Sequence, residues 1–166
     1  MSTSLSNVSK RVAVESVAQT VGDTAVETTI FSKPVPGKTL GSDGALRFTA
    51  ILTLQNATGG AISVTFKEKM DAVGPASLTS SIPAGTITIF HVIFLIGASG
   101  SGSVSHQFFG VILPRTSTNM NATVASGTFD NTVDQTFSVT ALWASAPGVS
   151  PSITMHYGML EIVGNP

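Results

Sequence analysis

The side chains able to do chemistry are few and scattered. His91, His106 and His156 each fall in a stretch that reads as β-strand. If residues 97–102 form the tip of a regular hairpin, His91 and His106 stand within a few residues of opposite one another. A metal pair would also need carboxylates or a third histidine nearby, and neither occurs in those strands. Strand histidines held by backbone or hydroxyl partners are the expected outcome. Among the nine carboxylates, Asp130-Asn131-Thr132-Val133-Asp134 contains the only close acidic pair of the C-terminal half. With Asn131 it has oxygens for Ca²⁺, but the spacing lacks the EF-hand pattern, and Asx-turn capping of the next strand is expected instead. There is no Gly-x-Ser-x-Gly elbow, and Gly97–Ser103 is not followed by the Gly-Lys-Ser/Thr of a phosphate loop. The absence of Cys removes thiolate catalysis, disulfides and Cys-based zinc sites. These residues predict no enzyme, no cofactor and no metal.

Recognition of charged polymers is equally unsupported. The formal net charge of −1 sets up no long-range field for nucleic acid or an anionic membrane. Lys67 and Lys69 flank Glu68, which reads as a solvated face rather than a phosphate track. The single Trp, Trp143, is in register with Phe137 and Val139 and so points to the core, which argues against an aromatic sugar platform. The longest apolar run, Ile89–Ile96, is too short to span a membrane, and the polar N-terminus carrying Lys10 and Arg11 is no Sec-type signal. A soluble chain is expected, with neither nucleic acid nor membrane as a partner.

The elements that would position any site are strands. Ser and Thr, 21 of each, make up a quarter of the chain, while charged residues are only 10%. Alternation of period two dominates: Leu46, Phe48, Ala50, Leu52 and Leu54 face one way, as do Ile62, Val64 and Phe66, and Phe137, Val139, Ala141 and Trp143. Turn residues such as Asn56–Gly60, Gly74-Pro75, Pro83–Gly85, Gly97–Gly102 and Pro147-Gly148 separate them. The spacing predicts eight strands over 26–31, 44–55, 61–70, 86–96, 103–114, 121–127, 135–144 and 152–163. Eight antiparallel strands without helix give an all-β, two-sheet sandwich, most simply a jelly roll. An immunoglobulin-like sandwich or small barrel has the same periodicity. Residues 1–25 are expected to be an N-terminal arm and 26–166 a single domain.

Three strands are apolar on both faces: 86–96, 103–114 and 152–163. A sandwich strand buries only one face, so the other calls for a partner. The last 95 residues hold only Arg115, Asp130, Asp134 and Glu161 as charges, a composition suited to an obligate interface. Phe90, Val92, Phe94, Phe109, Val111, Leu160 and Ile162 are the predicted contacts of a homo-oligomer.

The segment Asp130–Trp143, followed by Pro151-Ser152-Ile153-Thr154 to Leu160-Glu161, resembles the closing strands of β-sandwich structural proteins of tailed bacteriophages. Gly44-Ala45-Leu46-Arg47 and the Asn56–Gly60 turn fit the same pattern, so the resemblance extends over residues 44–163. It implies a virion component and typically a trimer, with no catalytic residue carried over. A short single domain with an arm, lacking a repetitive shaft, is most like a capsid decoration (cement) protein. The expected partners are then the chain itself and a major capsid protein or other virion proteins. The expected location is the capsid surface, after synthesis in the host cytoplasm. The alternative is a receptor- or glycan-binding head of a tail fibre or spike.

Overall fold

The computed structural model describes residues 10–16, 19–22, 25–114, 121–144 and 151–164. Among these residues there are eleven strands and no helix: β1 (Lys10–Glu15), β2 (Gln19–Val21), β3 (Thr28–Val35), β4 (Ala45–Asn56), β5 (Ile62–Met70), β6 (Ser77–Ile82), β7 (Thr86–Gly97), β8 (Ser103–Pro114), β9 (Asn121–Asp130), β10 (Gln135–Trp143) and β11 (Ser152–Val163). They form two antiparallel sheets. The larger runs β1-β11-β4-β7-β8-β9, with β2 also on β11, and the smaller runs β3-β10-β5-β6.

The pairing is nested. β1 pairs β11, β3 pairs β10, β4 pairs β7 and β5 pairs β6, each pair lying inside the previous one along the chain. That arrangement is an eight-stranded jelly roll rolled up from one long hairpin. The hairpin β8–β9 is inserted between β7 and β10 and lengthens one side of the larger sheet. The expected sandwich is therefore present, with eleven strands in place of eight.

Two departures from the sequence reading have physical causes. Residues 10–15 and 19–21, expected in an arm, hydrogen-bond to β11 and supply the first strand of the roll. Within that segment, 1–9, 17–18 and 23–24 lie outside the described residues. β6 lay hidden in the Met70–Gly85 connection because only Leu78 and Ile82 mark its buried face, with Ser80 as a third, small inward residue.

The core lies between the sheets. Phe48 sits at its centre, with ring centroids 4.6 Å from Phe31, 5.6 Å from Phe137 and 6.5 Å from Phe94. Trp143 is fully buried as expected, and its indole N–H donates to Gly22 O at 3.1 Å. Gly110 lets the sheets close over β8: a Cβ there would lie 2.7 Å from the Phe94 ring and 2.8 Å from Leu78.

Candidate functional site

The outer face of the larger sheet was the surface to locate, because the sequence leaves two apolar faces on β7 and β8. Alternation and register settle the parity. Phe90, Val92, Phe94 and Ile96 point inward and are at most 2% exposed. Phe90, Val92 and Phe94, expected at an oligomer interface, therefore belong to the monomer's own core. Leu160 joins them, paired with Phe48 and fully buried, and Ile162 is also buried, paired with Leu46. On β7 the cause is that both faces are apolar, so hydrophobicity alone cannot show which one the second sheet covers; on β11 a register shift between Met155 and Tyr157 reverses the alternation and turns Leu160 and Ile162 to the same side as Ile153 and Met155.

Of the predicted contacts, Phe109 and Val111 lie on the outward side. Registered neighbours build three rows across the strands there. The first is Val14, Met159, Thr49, Ile93, Val111 and Ala122; the second is Arg11, Glu161, Arg47, Leu95, Phe109 and Val124. The third joins Tyr157, Ile51, His91 and Leu113. Val111 is nearly covered by its neighbours, whereas Val124 is 69% exposed and Ile87, further along β7, 64%. The Arg47 guanidinium and Glu161 carboxylate, 2.8 Å apart, neutralise one another within this face.

The outer face of the smaller sheet is different in kind. Its strands present Thr65 and Thr79, whose hydroxyls meet at 2.8 Å, and Lys67 and Lys69, which both pair with Glu27. Thr140 Oγ1 donates to the same carboxylate at 2.9 Å. Hydrogen bonds from the two lysines hold the Glu27 carboxyl down at about 2. One outer face is hydroxylated and ionic; the other carries an apolar band through Ile93, Leu95, Phe109 and Val111, bordered by the polar pairs Thr20–Thr154, Thr53–His156 and Gln107–Ser126.

None of the sequence-level chemistry assembles. His91 is exposed on the outer face, paired with Leu113, while His106 is buried on the inner face opposite Gly127. Ser99 N–H donates to His106 Nδ1 at 3.3 Å, so Nε2 carries the proton and donates to Phe129 O at 3.2 Å. Burial lowers the pKa of this imidazole, against the opposing pull of the Phe129 hydrogen bond. His156 meets Thr53 Oγ1 at 2.8 Å on the outer side. Among the described residues no cluster of three His, Asp or Glu could hold a metal.

The Asp130–Asp134 loop is a capping device. Asp130 Oδ1 accepts from Thr132 N at 2.9 Å and Thr132 Oγ1 at 2.6 Å, and Asp134 Oδ1 accepts from Gly37 N at 2.8 Å. Asn131, buried between them, donates from Nδ2 to Gly41 O and Gly100 O and accepts from Gly102 N, each at 2.9 Å. One side chain thereby ties three loops together.

Glu68 is the residue that sequence reasoning misplaced. It points to the inner face of β5, opposite in parity to its lysine neighbours, and is fully buried with neither carboxyl oxygen hydrogen-bonded. Desolvation pushes its carboxyl up to about 9, so it is neutral at physiological pH. The alternation Ile62, Val64, Phe66, Glu68, Met70 was the available signal.

No protein-family model and no curated protein matches this chain. Among solved structures it is similar to the CBM2 module of the evolved Dit of Lactobacillus casei BL23 phage J-1. That likeness has 11% identity and a TM-score of 0.44, over 81% of this chain and 69% of that one. Peanut lectin with a 9mer peptide aligns at 9% identity and 0.47, over 96% and 99%. A Lotus tetragonolobus seed lectin aligns at 8% and 0.45, over 92% and 96%. Likenesses this distant assign neither a family nor a ligand.

Proposed function

We propose that this chain is a structural virion protein whose work is binding alone. In this reading it is a capsid decoration (cement) protein that trimerises and seats on the outer surface of a phage shell, with the major capsid protein as its partner. The observation that carries the reading is the asymmetry of the sandwich: a hydroxylated, ionic outer face on one sheet and, on the other, an apolar band of Ile93, Leu95, Phe109, Val111 and Val124 across β7, β8 and β9. A lone soluble domain has no use for such a face, whereas an assembled one buries it.

The occupant of that face is a second copy of the chain. Four strands of twelve residues, about 40 Å long and about 4.8 Å apart, with the shorter β1 and β9 beside them, offer a face on the order of 1,000 Å², polar border included, against the ~800 Å² each partner gives to a stable interface. Arg47 and Glu161 pair with one another there, leaving Arg11 at the β1 edge as the remaining charge of the three rows. The resemblance of residues 44–163 to phage structural proteins, together with the jelly roll, supports the virion setting.

Light scattering on purified protein, followed by co-sedimentation with expanded phage shells, tests this. The expected result is a particle of three 17.0 kDa chains, or a multiple of it, that co-sediments with shells. A monodisperse monomer without shell affinity overturns the reading. Glycan-array binding abolished by a loop substitution, with the oligomer intact and no shell binding, would replace it with a receptor-binding head.

A further inference from the structure

The described residues leave five edge strands to the two sheets; β2 has only three residues, and three of the others carry the devices that discourage pairing with another chain. β1 has Lys10, Arg11 and Glu15 and a register shift between Arg11 and Ala13. β3 carries Lys33 and Pro34, with a shift in its ladder at Val139/Thr140. β6 is only six residues long and runs into Pro83. β9 has none of these. Its ten residues, Asn121–Asp130, stay in unbroken register with β8, contain no Lys, Arg or Pro, and hold one charge, at the last position.

We propose that the outer edge of β9 pairs antiparallel with β9 of a second copy about a two-fold axis, joining the two larger sheets into one. A ten-residue edge whose one charge lies at its end presents a row of backbone donors and acceptors without a strand partner among the described residues, and an extended strand satisfies them. The partner strand is β9 itself because the sequence is self-compatible. In a register centred on Val124, Ala125 or Ser126, the two Asp130 carboxylates sit at opposite ends, so no like charges face each other. Centred on Val124, the row Leu95–Phe109–Val124 continues into the same row of the second copy and covers the exposed Val124. The contact is isologous and closes at two chains. It does not rest on the shell reading; in a trimeric protein it would link one trimer to the next.

The chain has no cysteine, so single introduced thiols report on this edge cleanly. Thr123→Cys, Val124→Cys, Ala125→Cys and Ser126→Cys are made one at a time, with Ser81→Cys on β6 as the reference, and oxidised in dilute solution. Facing residues of paired strands lie within disulfide reach, so the position at the axis should cross-link at least tenfold faster than Ser81→Cys. The Val124→Lys variant should halve the mass seen by light scattering while leaving the far-ultraviolet circular dichroism unchanged. Cross-linking at no β9 position above the reference, or an unchanged mass for Val124→Lys, overturns the proposal. Cross-linking protein that ignores shells would uphold it and count against the shell reading alone.

Discussion

Lys67 and Glu68 are neighbours in the chain and face opposite sides of β5. Lys67 Nζ meets Glu27 Oε2 at 2.8 Å on the wet surface, while the Glu68 carboxyl lies in the core without a hydrogen bond. A strand reverses the environment at each residue, so one step separates a carboxyl group held at about 9 from a lysine paired with one held at about 2.

The first prediction concerns pH. The Glu68 carboxyl is raised from its ordinary 4.5 to about 9 on folding, so the unfolded chain releases this proton from about pH 4.5 and the folded chain only near 9. Between those values the folded state binds more protons, and stability falls as pH rises, by up to ~1.4 kcal/mol per unit. Urea unfolding from pH 5 to 9 should show the decline. Glu68→Gln should flatten it, and Glu68→Met should raise stability at pH 7 by about 3 kcal/mol. A wild-type stability that rises across this range would contradict the burial.

Gly110 should tolerate no side chain. Its missing Cβ is occupied by Phe94 and Leu78 from the two sheets. Gly110→Ala should cost about 1–3 kcal/mol through overpacking, read as a lower midpoint in calorimetry. An unchanged midpoint would mean that the sheets separate at β8 without penalty.

The two apolar faces should respond differently to charge. Phe109→Asp, on the outer face, should reduce the assembled mass while leaving the β-type circular dichroism intact. Val92→Asp buries an unpaired carboxylate in the core and should cost more than 4 kcal/mol, unfolding the chain. If Val92→Asp folds and only dissociates, the parity of β7 is the reverse of that described.

Asn131 should matter for structure and not for metal. Its carboxamide makes three hydrogen bonds to three glycines of two other loops, and Asn131→Ala strands those groups, at a cost of roughly 2–3 kcal/mol. Millimolar Ca²⁺ and its chelation should both leave the wild-type melting temperature unchanged, because the nearby Asp130 and Asp134 oxygens already accept backbone N–H groups. A rise of several degrees with Ca²⁺ would reinstate the cation site.

Much of the fold was legible because period-two alternation is a local property. Leu46–Leu54 and Phe137–Trp143 each state which side chains share a face, and the turn residues state where a strand ends. β6 and β1 escaped because their inward positions are small or few, so alternation left little trace.

The residue types alone exclude thiolate chemistry and disulfides, since the chain has no Cys. What the chain by itself determined was the set of residues sharing each face of the regular strands, such as Leu46–Leu54 and Phe137–Trp143, and the scarcity of charge; the bulge at His156, which turns Leu160 to the side of Met155, left no mark in the alternation. The tertiary structure alone decided which face is covered. On β7 both faces are apolar, and only the arrival of the smaller sheet over Phe90, Val92 and Phe94 makes them core and leaves Ile93, Leu95 and their row outside. The physical reason is that burial belongs to pairs of surfaces, and a strand carries no record of which surface it will meet.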